Sequence, residues 1–341
     1  MGDTTTIEWT DRTWNPVTGC TQISAGCDNC YAKTIAERFR GTSAFPHGFD
    51  IQIRSDKVNA PLTWRKPTKV FVNSMSDLFH DGIHRVELHY LFAVMAVTPQ
   101  HTYQILTKRH GRMRSLLNDP HFAHMVFHRA DKVYGLRDRP NATWNWPLPN
   151  VWLGVSVENQ QWADIRIPAL LDTPAAVRWI SAEPLLGPID LKQAVRTLGR
   201  ERGHGLTASY VHAGGCCERQ LHGINWVVTG GESGPGARPA HPDWFRSLRD
   251  QSAAARIPFL FKQHGSWADR TQLTGDQRAA ASLWDDQRVT YVHPADGRTQ
   301  SHGQWGASDH EQGWAAVQRV GKKAAGRELD GRLHDAYPGA A

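Results

Sequence analysis

The sequence predicts an α/β fold built on a parallel sheet, as a partial or full TIM-type (β/α) barrel. Six short runs rich in β-branched and aromatic residues recur along the chain, and each is almost continuously apolar. Such runs are typical of strands buried on both faces of a parallel sheet. Amphipathic stretches separate the runs, and strands alternating with helices require right-handed crossovers.

The predicted strands are Lys69–Asn73, Thr102–Thr107, Val151–Val157, Val177–Ser181, Ile224–Thr229 and Pro258–Lys262. Helical spacing of apolar residues predicts helices at Val86–Val97 and Pro242–Ala255. Each strand is followed closely by polar side chains, among them Asp77, Lys108, Glu158, Glu183, Glu232 and Lys262. The loops after the strands build the active site of a parallel barrel, so this series predicts an active-site rim.

The predicted domain organisation is one barrel over residues 1–265 and a C-terminal extension over 266–341 that packs on it. The extension has low apolar density and is expected to be irregular. Two insertions are expected in the barrel. The first, near 121–150, is predicted to be irregular and is rich in His, Arg and Trp. The second, near 193–223, is Gly-rich and polar and contains Cys216 and Cys217.

The composition favours a cytoplasmic protein. In 341 residues, no apolar run approaches the length of about 18–20 that a membrane-spanning helix needs. The N-terminus lacks the basic and apolar regions of a signal peptide. Five cysteines, three of them clustered, fit a metal site in a reducing compartment better than a disulfide framework. The net charge of +6 is compatible with nucleic-acid binding and equally with an ordinary soluble enzyme.

Three cysteines near the N-terminus form a candidate metal site. Cys20, Cys27 and Cys30 have the spacing C-x6-C-x2-C. A structural zinc site usually has four protein ligands, whereas a cubane iron–sulfur cluster held by three cysteines leaves one iron free for another ligand. The sequence therefore favours a [4Fe–4S] cluster. The alternative is a zinc site with His47 or His80 as the fourth ligand.

The cysteine loop ahead of a parallel strand series resembles radical S-adenosylmethionine (SAM) enzymes. The chain is more closely similar to the phage Gp37/Gp68-type family, also called three-Cys-motif proteins (DUF5131). Matching runs extend over residues 7–267, with a late LDGR at 329–332; they include GCDNCYA, FVNSMSDLFHD, RWISAEPLLGPI and WVVTGGESGPGARPAHPDWFRSLRDQ. A weaker similarity to the spore photoproduct lyase branch involves Ser74–Asp77, Thr107–Lys108, Ser156 and Pro184–Pro188.

The chain departs from the usual radical SAM pattern in three places. That pattern is C-x3-C-x2-C with an aromatic residue before the last cysteine, whereas six residues fill the first gap here and Asn29 takes the aromatic position. The Gly-Gly-Glu expected after the second strand is missing there, and a GGES follows Val227–Thr229 instead. The cysteine pattern therefore predicts cluster binding and does not by itself predict SAM cleavage.

The resemblance implies that the three cysteines hold a [4Fe–4S] cluster and that SAM binds its fourth iron. Ser76 and Asp77 would then contact the SAM ammonium group. Lys108, with Arg109, would face the SAM carboxylate or a substrate phosphate. The cofactor-binding residues this implies are Ser76, Asp77, Lys108, Ser156, Glu158, Glu183 and Glu232.

The residues themselves leave other roles open. Ser74, Ser76 and Asp77 suit a turn that caps the following helix. Arg109 suits a solvated position beside a helix. GGES at 230–233 suits either an anion or adenine cradle or a plain strand-to-helix turn. His264 suits a proton donor or a satisfied polar residue.

The favoured function is a radical SAM-like lyase or modification enzyme that acts on a nucleic-acid base or nucleotide and takes an electron from a donor. The positive charge, the Arg- and Trp-containing insertion and the weaker lyase similarity favour that substrate. Two other hypotheses remain. One is a non-catalytic Fe–S or Zn protein that binds nucleic acid or a partner protein. The other is a barrel hydrolase with a structural metal.

Overall fold

The computed structural model describes residues 5, 7–139, 144–195, 223–304 and 312–339. Its strands are β1 (Arg12–Trp14), β2 (Val17–Thr18), β3 (Gln52–Ile53), β4 (Lys69–Val72), β5 (Thr102–Thr107), β6 (Val151–Ser156), β7 (Val177–Ala182), β8 (Trp226–Gly230), β9 (Phe259–Gln263), β10 (Trp267–Asp269), β11 (Val289–Val292), β12 (Thr299–Gln300) and β13 (Ala315–Arg319). The helices used below are α1 (Tyr31–Arg38), α2 (Ser55–Val58), α3 (Arg85–Ala96), α4 (His110–Leu117), α5 (Pro120–Tyr134), α6 (Gln160–Leu171), α7 (Pro242–Ala254), α8 (Gly275–Ala279) and α9 (Lys322–Ala325).

A parallel sheet of seven strands, in the order β1-β4-β5-β6-β7-β8-β9, is the central element of the fold. It contains all six predicted strands, with ends that differ by at most two residues from those expected. The α/β fold class is therefore confirmed. Among the described residues, β1 and β9 remain edge strands, so of the two predicted forms the sheet has the partial one. β1 was not predicted; its three residues pair in parallel with Val70–Val72 of β4.

The chain divides into two compact units. The first comprises Met1–Ser156 and Ala169–Trp179, and the second comprises Val157–Pro168 and Ile180–Ala341. In the first unit, β1, β4, β5 and β6 form consecutive parallel pairs. β4 buries three of its four residues and β5 four of its six, because strands in the middle of such a sheet are covered on both faces.

Helix α5 corrects one prediction. Residues 121–150 were expected to be irregular, which is wrong for residues 121–134, because they belong to the helix Pro120–Tyr134. Asp119 caps the helix by accepting a hydrogen bond from His121 N, Pro120 fills the first turn, and Gly135 ends the helix in a left-handed conformation. Phe122, Val126 and Ala130 recur every four residues and are buried. His and Arg residues are frequent between these apolar positions, so the helical spacing of the apolar residues is hard to recognise in the sequence.

In the second unit, the C-terminal extension contains a four-stranded antiparallel sheet in the order β10-β13-β11-β12, where an irregular segment was expected. The chain then returns to the exposed edge of β9. Phe261 N donates to His334 O, and Ala336 N donates to Phe259 O. This pairing covers part of an edge that would otherwise be open to another strand. No helix in the described ranges is long and apolar enough to cross a membrane.

Candidate functional site

The cysteine loop, residues 20–30, is anchored at its start to the loop that follows β4. Gly19 N donates to Met75 O at 3.0 Å, and Cys20 N donates to Phe49 O at 3.2 Å. Gly19 has φ +89°, and a Cβ there would lie 2.2 Å from the Asp50 carbonyl oxygen. Glycine is therefore required immediately before Cys20.

The other two cysteines lie around a short turn and at a helix start. Cys27 ends a 3-10 turn, Ala25–Cys27, and its N–H donates to Ser24 O at 2.8 Å. Cys30 is the N-cap residue of α1, at the positive end of that helix dipole. It packs against a buried cluster of Ala32, Ala36, Phe45 and Met75. Packing of α1 on Met75 thus ties the end of the loop to the same post-strand segment as its start.

The three thiols fit an iron–sulfur cluster in donor type and access. Cys20, Cys27 and Cys30 are all free of disulfides and partly exposed. Three thiolates are a set of ligands found in clusters that keep one iron open. In the described part of the chain, however, no three His, Cys, Asp or Glu side chains are grouped so that they could bind a metal ion. The three cysteines therefore fit a cluster by the chemistry of their donor atoms, whereas their side chains do not form a metal-binding arrangement in this structure.

Arg109, directly after β5, reaches the cysteine loop. Its Nη1 donates to Cys20 Sγ at 3.3 Å and to Asp77 Oδ2 at 3.3 Å. Its Nη2 donates to Thr21 O at 3.1 Å and to Thr21 Oγ1 at 2.8 Å. Arg109 is only 8% exposed, so the solvated position that the sequence allowed for it is wrong.

Asp77, four residues past the predicted strand end, is buried and accepts four hydrogen bonds. Oδ1 accepts from Phe79 N and from Thr107 Oγ1, and Oδ2 accepts from Lys108 N and Arg109 Nη1. Two bonds to each oxygen fill the usual acceptor positions of a carboxylate. The turn that the sequence left open is thus present at Asp77, but the following helix, α3, is capped by His84 and not by Asp77. A role toward the SAM ammonium group stays a prediction and would require one of these bonds to be exchanged.

Two opposing effects act on the Cys20 thiol. Burial raises the pKa of Cys20 above its ordinary value, because it disfavours the thiolate. The positive charge and hydrogen bond of Arg109 lower it, and the nearby Asp77 carboxylate raises it. Arg109 is therefore the group that favours a thiolate at this position.

The two histidines proposed as a fourth zinc ligand are placed differently. His80 Nε2 shares a hydrogen bond with Thr21 Oγ1 at 2.8 Å, and His80 Nδ1 accepts from Gly82 N at 2.9 Å. Burial lowers the pKa of His80. Both of its ring nitrogens are therefore engaged within the loop structure, whereas His47 is exposed.

The other predicted residues of the first unit lie at or near the same strand ends. Ser76 Oγ donates to Val17 O at 3.0 Å, and Ser74 Oγ donates to Asn15 Oδ1 at 3.1 Å. The half-buried Lys108 follows β5, and the fully buried Ser156 ends β6. Among these residues, Asp77 and the backbone of Lys108 meet directly, next to the cysteine loop.

Glu158, in the second unit, is fully buried. Arg166 Nη1 donates to Glu158 Oε2 at 2.9 Å, and both side chains have zero exposure. The Arg166 guanidinium lies over the Trp162 ring, 4.0 Å from its centroid. The cofactor-binding role expected for Glu158 remains a prediction, and access to this carboxylate would require the ion pair to open.

Glu183 and Lys262 form an ion pair after β7 and within β9, with Nζ 3.2 Å from Oε1. They are 14% and 21% exposed, so both reach solvent. Gly230 permits this placement, because a Cβ there would lie 2.6 Å from Glu183 Oε1. The pair is thus an accessible acid and base in the second unit.

The GGES segment is a tightly packed turn that pairs with the turn after β9. A Cβ on Gly231 would lie 1.9 Å from His264 O, so backbone fills the space that a side chain would need. Glu232 accepts from Arg238 N, Nε and Nη2 at 2.7–2.9 Å. His264 Nε2 contacts Glu328 O at 2.7 Å, and burial lowers its pKa. These contacts give His264 the satisfied polar role, and Glu232 an intramolecular partner. Cys216 and Cys217 lie outside the described residues.

The sequence predicted Arg109 only as a group beside Lys108 that would face the SAM carboxylate or a substrate phosphate, and it indicated neither Thr21 nor the contact of Arg109 with it. The two lie 88 positions apart, and no local pattern pairs them. The one available signal was the position of Arg109 directly behind a predicted strand end, next to Lys108.

Comparison with known proteins was made for the whole chain. None of the curated proteins matches it significantly. Among solved structures, a spore photoproduct lyase mutant is similar with a TM-score of 0.37 and 12% identity, covering 91% of this chain and 68% of that one. A spore photoproduct lyase complexed with dinucleoside spore photoproduct has a TM-score of 0.36 and 13% identity, covering 91% and 69%. A mutant with bound AdoMet and dinucleoside spore photoproduct has 0.35 and 12%, covering 86% and 68%. The similarity expected from the strand-end motifs is found, and at this level it assigns no residue a role.

The family model described as "Protein of unknown function (DUF5131)" matches residues 4–338. This is the family that the cysteine loop and the strand-end motifs predicted. The match extends over nearly the whole chain, and the protein therefore belongs to the DUF5131 family.

Proposed function

We propose that this protein is a radical SAM-like enzyme that binds a [4Fe–4S] cluster through Cys20, Cys27 and Cys30. The observation that carries the proposal is the contact between the cysteine loop and the post-strand residues: Arg109 Nη1 lies 3.3 Å from both Cys20 Sγ and Asp77 Oδ2. Arg109 and Asp77 follow two adjacent parallel strands, which is where barrel enzymes build their active sites.

The cluster and SAM, when bound, would supply one-electron cleavage of the SAM sulfonium with an electron from an external donor. The chain would supply three thiolate ligands and the fixed loop that carries them. The half-buried Lys108 supplies positive charge beside the loop, suited to the SAM carboxylate or to a phosphate, whereas the buried Arg109 is engaged with the loop itself. These roles are assigned from charge and position, and each can be tested by substituting the residue concerned.

A nucleic-acid base or nucleotide is the proposed substrate class. The net charge of +6 supports it, as does an exposed aromatic group after α5. Trp144 is 47% exposed, its ring lies 5.4 Å from that of Phe127, and the Arg137 guanidinium lies 5.8 Å from its centroid. An exposed indole beside an arginine is suited to stacking on an unpaired base.

Anaerobic purification and reconstitution test the cofactor proposal. We expect brown protein with about four irons per chain. After reduction with SAM present, it should form 5′-deoxyadenosine and methionine. Colourless protein with one zinc would contradict the proposal and favour the non-catalytic metal protein. A loaded cluster that never cleaves SAM would contradict the enzymatic part alone.

Cysteine variants provide the matched controls. Cys20→Ala, Cys27→Ala and Cys30→Ala should each abolish iron retention, because no spare thiol belongs to the loop. Cys216→Ala combined with Cys217→Ala should retain iron at the wild-type level.

A binding measurement tests the proposed substrate class. Binding of a fluorescent single-stranded oligonucleotide should weaken with salt and with Trp144→Ala. Binding indifferent to both changes would contradict the nucleic-acid assignment.

A further inference from the structure

The four donor contacts of Arg109 converge on the start of the cysteine loop. Nη1 is shared between Cys20 Sγ and Asp77 Oδ2, and Nη2 is shared between the carbonyl and hydroxyl oxygens of Thr21. One planar group therefore joins a predicted metal ligand, its neighbour in sequence and the carboxylate after β4. The chain separation between Arg109 and Cys20 is 89 positions, so this is a tertiary link between loop and sheet.

Burial makes the orientation of this guanidinium well determined. The side chains of Arg109 and Asp77 are 7% and 9% exposed. A buried arginine is stable only when its charge is paired and its donors are satisfied, so removing either the charge partner or the hydrogen-bond acceptors is unfavourable. Asp77 is itself fixed by Thr107 Oγ1 at 2.7 Å and by Lys108 N at 3.0 Å. Groups at the end of β5 therefore fix the Asp77 carboxylate, and that carboxylate in turn fixes the Arg109 guanidinium.

We propose that Arg109 is a positioning residue: it fixes the Cys20 sulfur for the cluster and donates a hydrogen bond to that sulfur. This inference rests on the proposed function. N–H donation to a cluster thiolate stabilises the reduced, more negative state and thereby raises the reduction potential. Arginine is required because its two Nη atoms face different acceptors. A lysine ammonium is a point charge on a flexible stem and does not reproduce that fork.

The test compares Arg109→Gln and Arg109→Lys with a matched control, Arg112→Gln. Arg112 lies on α4, which begins directly after Arg109, and it donates to the carbonyl oxygens of His80 and Ile83 and not to a cysteine. Thr21→Ala is a milder variant at an exposed position, which removes one Nη2 acceptor together with the hydrogen-bond partner of His80 Nε2 and leaves the buried Arg109–Asp77 pair intact. It keeps the test informative if Arg109→Gln does not fold.

The first readout uses the metal-free protein. Hydrogen exchange of the Gly19 and Cys20 amides should accelerate about tenfold in Arg109→Gln, which corresponds to about one lost hydrogen bond. The acceleration should be smaller in Thr21→Ala and absent in Arg112→Gln. The second readout is the reconstituted protein, in which Arg109→Gln should lose iron faster and show a more negative midpoint potential. Arg109→Lys should fall between Arg109→Gln and wild type in both.

Two failures are distinguishable. If wild-type protein holds about four irons but Arg109→Gln has the same retention and potential, the positioning role is wrong and the proposed function stands. If wild-type protein holds no iron, the proposed function fails, and with it the role of Arg109 toward a cluster. In that case, exchange data alone would report whether Arg109 holds the loop.

Discussion

Glu158 and Arg166 form a 2.9 Å ion pair in which both side chains are completely buried. The pair lies in one compact unit, eight residues apart on the same chain segment, and Trp162 covers the guanidinium. Removing two charges from water is costly, so such a pair persists only when each charge satisfies the other. The geometry thus favours a role in the stability of this unit.

Glu158→Gln should therefore destabilise the protein by about 3–5 kcal/mol, because it leaves Arg166 as an uncompensated buried charge. Urea denaturation measures the change. Glu158→Leu combined with Arg166→Met should cost less than the single substitution. Glu37→Gln is the matched control, since its pair with Arg40 is exposed to solvent and its loss should change stability far less. Wild-type stability together with weakened SAM binding in Glu158→Gln would instead assign Glu158 to the cofactor.

Asp77→Asn should destabilise the first unit by about 2–4 kcal/mol. The amide nitrogen cannot accept the bonds that one carboxylate oxygen now receives, and Arg109 would lose its paired charge. Guanidinium denaturation, followed by tryptophan fluorescence, is suited to the measurement. The control is Asp81→Asn, because the Asp81 side chain is 83% exposed and its substitution should change stability by less than about 0.5 kcal/mol. Equal effects of the two variants would show that the Asp77 contacts are not formed in solution.

Glycine substitutions test the close packing of the GGES turn. Gly231→Ala should cost more than Gly230→Ala, because its Cβ would meet the His264 backbone, whereas that of Gly230 meets the movable Glu183 side chain. A cost of about 1–3 kcal/mol is typical of overpacking, and Gly231→Ala should reach or exceed it. Gly111→Ala has open space within α4 and should stabilise by about 0.5–1 kcal/mol. Thermal unfolding ranks the three, and the reverse order for Gly230 and Gly231 would contradict this account.

The strands of the parallel sheet were predictable because burial on both faces leaves a continuous apolar signal. β1 was not, since Arg12–Trp14 is too short for a pattern and is defined by its partner β4, more than fifty residues later. The antiparallel C-terminal strands are short, and several of their residues are exposed or half-buried, which weakens their apolar signal.

The candidate site was predictable as a set of residue types and not as a set of contacts. The cysteine spacing and the strand-end positions are local and visible in the sequence. The link from Arg109 to Cys20 depends on how the loop returns to the sheet through Gly19 and Met75, which no local pattern encodes. The burial of Glu158 was not predicted either, although its partner Arg166 lies only eight residues away, on a helix with a Pro inside it.

His89 makes stability depend on pH near neutrality. It is 4% exposed, and burial lowers its pKa from 6.5 to about 4. The positive charges of Arg85 and Arg129 act in the same direction, as do those of His121 and His84 when these are protonated. The unfolded chain therefore binds a proton at about pH 6.5, while the folded chain does not until about pH 4. The stability contributed by neutral His89 is complete above pH 6.5 and falls as the pH drops toward 4. Wild-type protein should lose up to about 2 kcal/mol from this group between pH 7 and pH 5.

His89→Leu should reduce that pH dependence, because leucine packs at the same site beside Phe122 and binds no proton. Urea denaturation at pH 7, 6 and 5 gives the slope for each variant. His124→Leu is the control, since His124 is exposed on α5 and its removal leaves His89 and its surroundings on α3 in place, so that the slope should stay near that of wild type. An unchanged slope in His89→Leu would mean that His89 is protonated in the folded state at these pH values, with its charge reaching solvent, and would contradict the buried placement on α3.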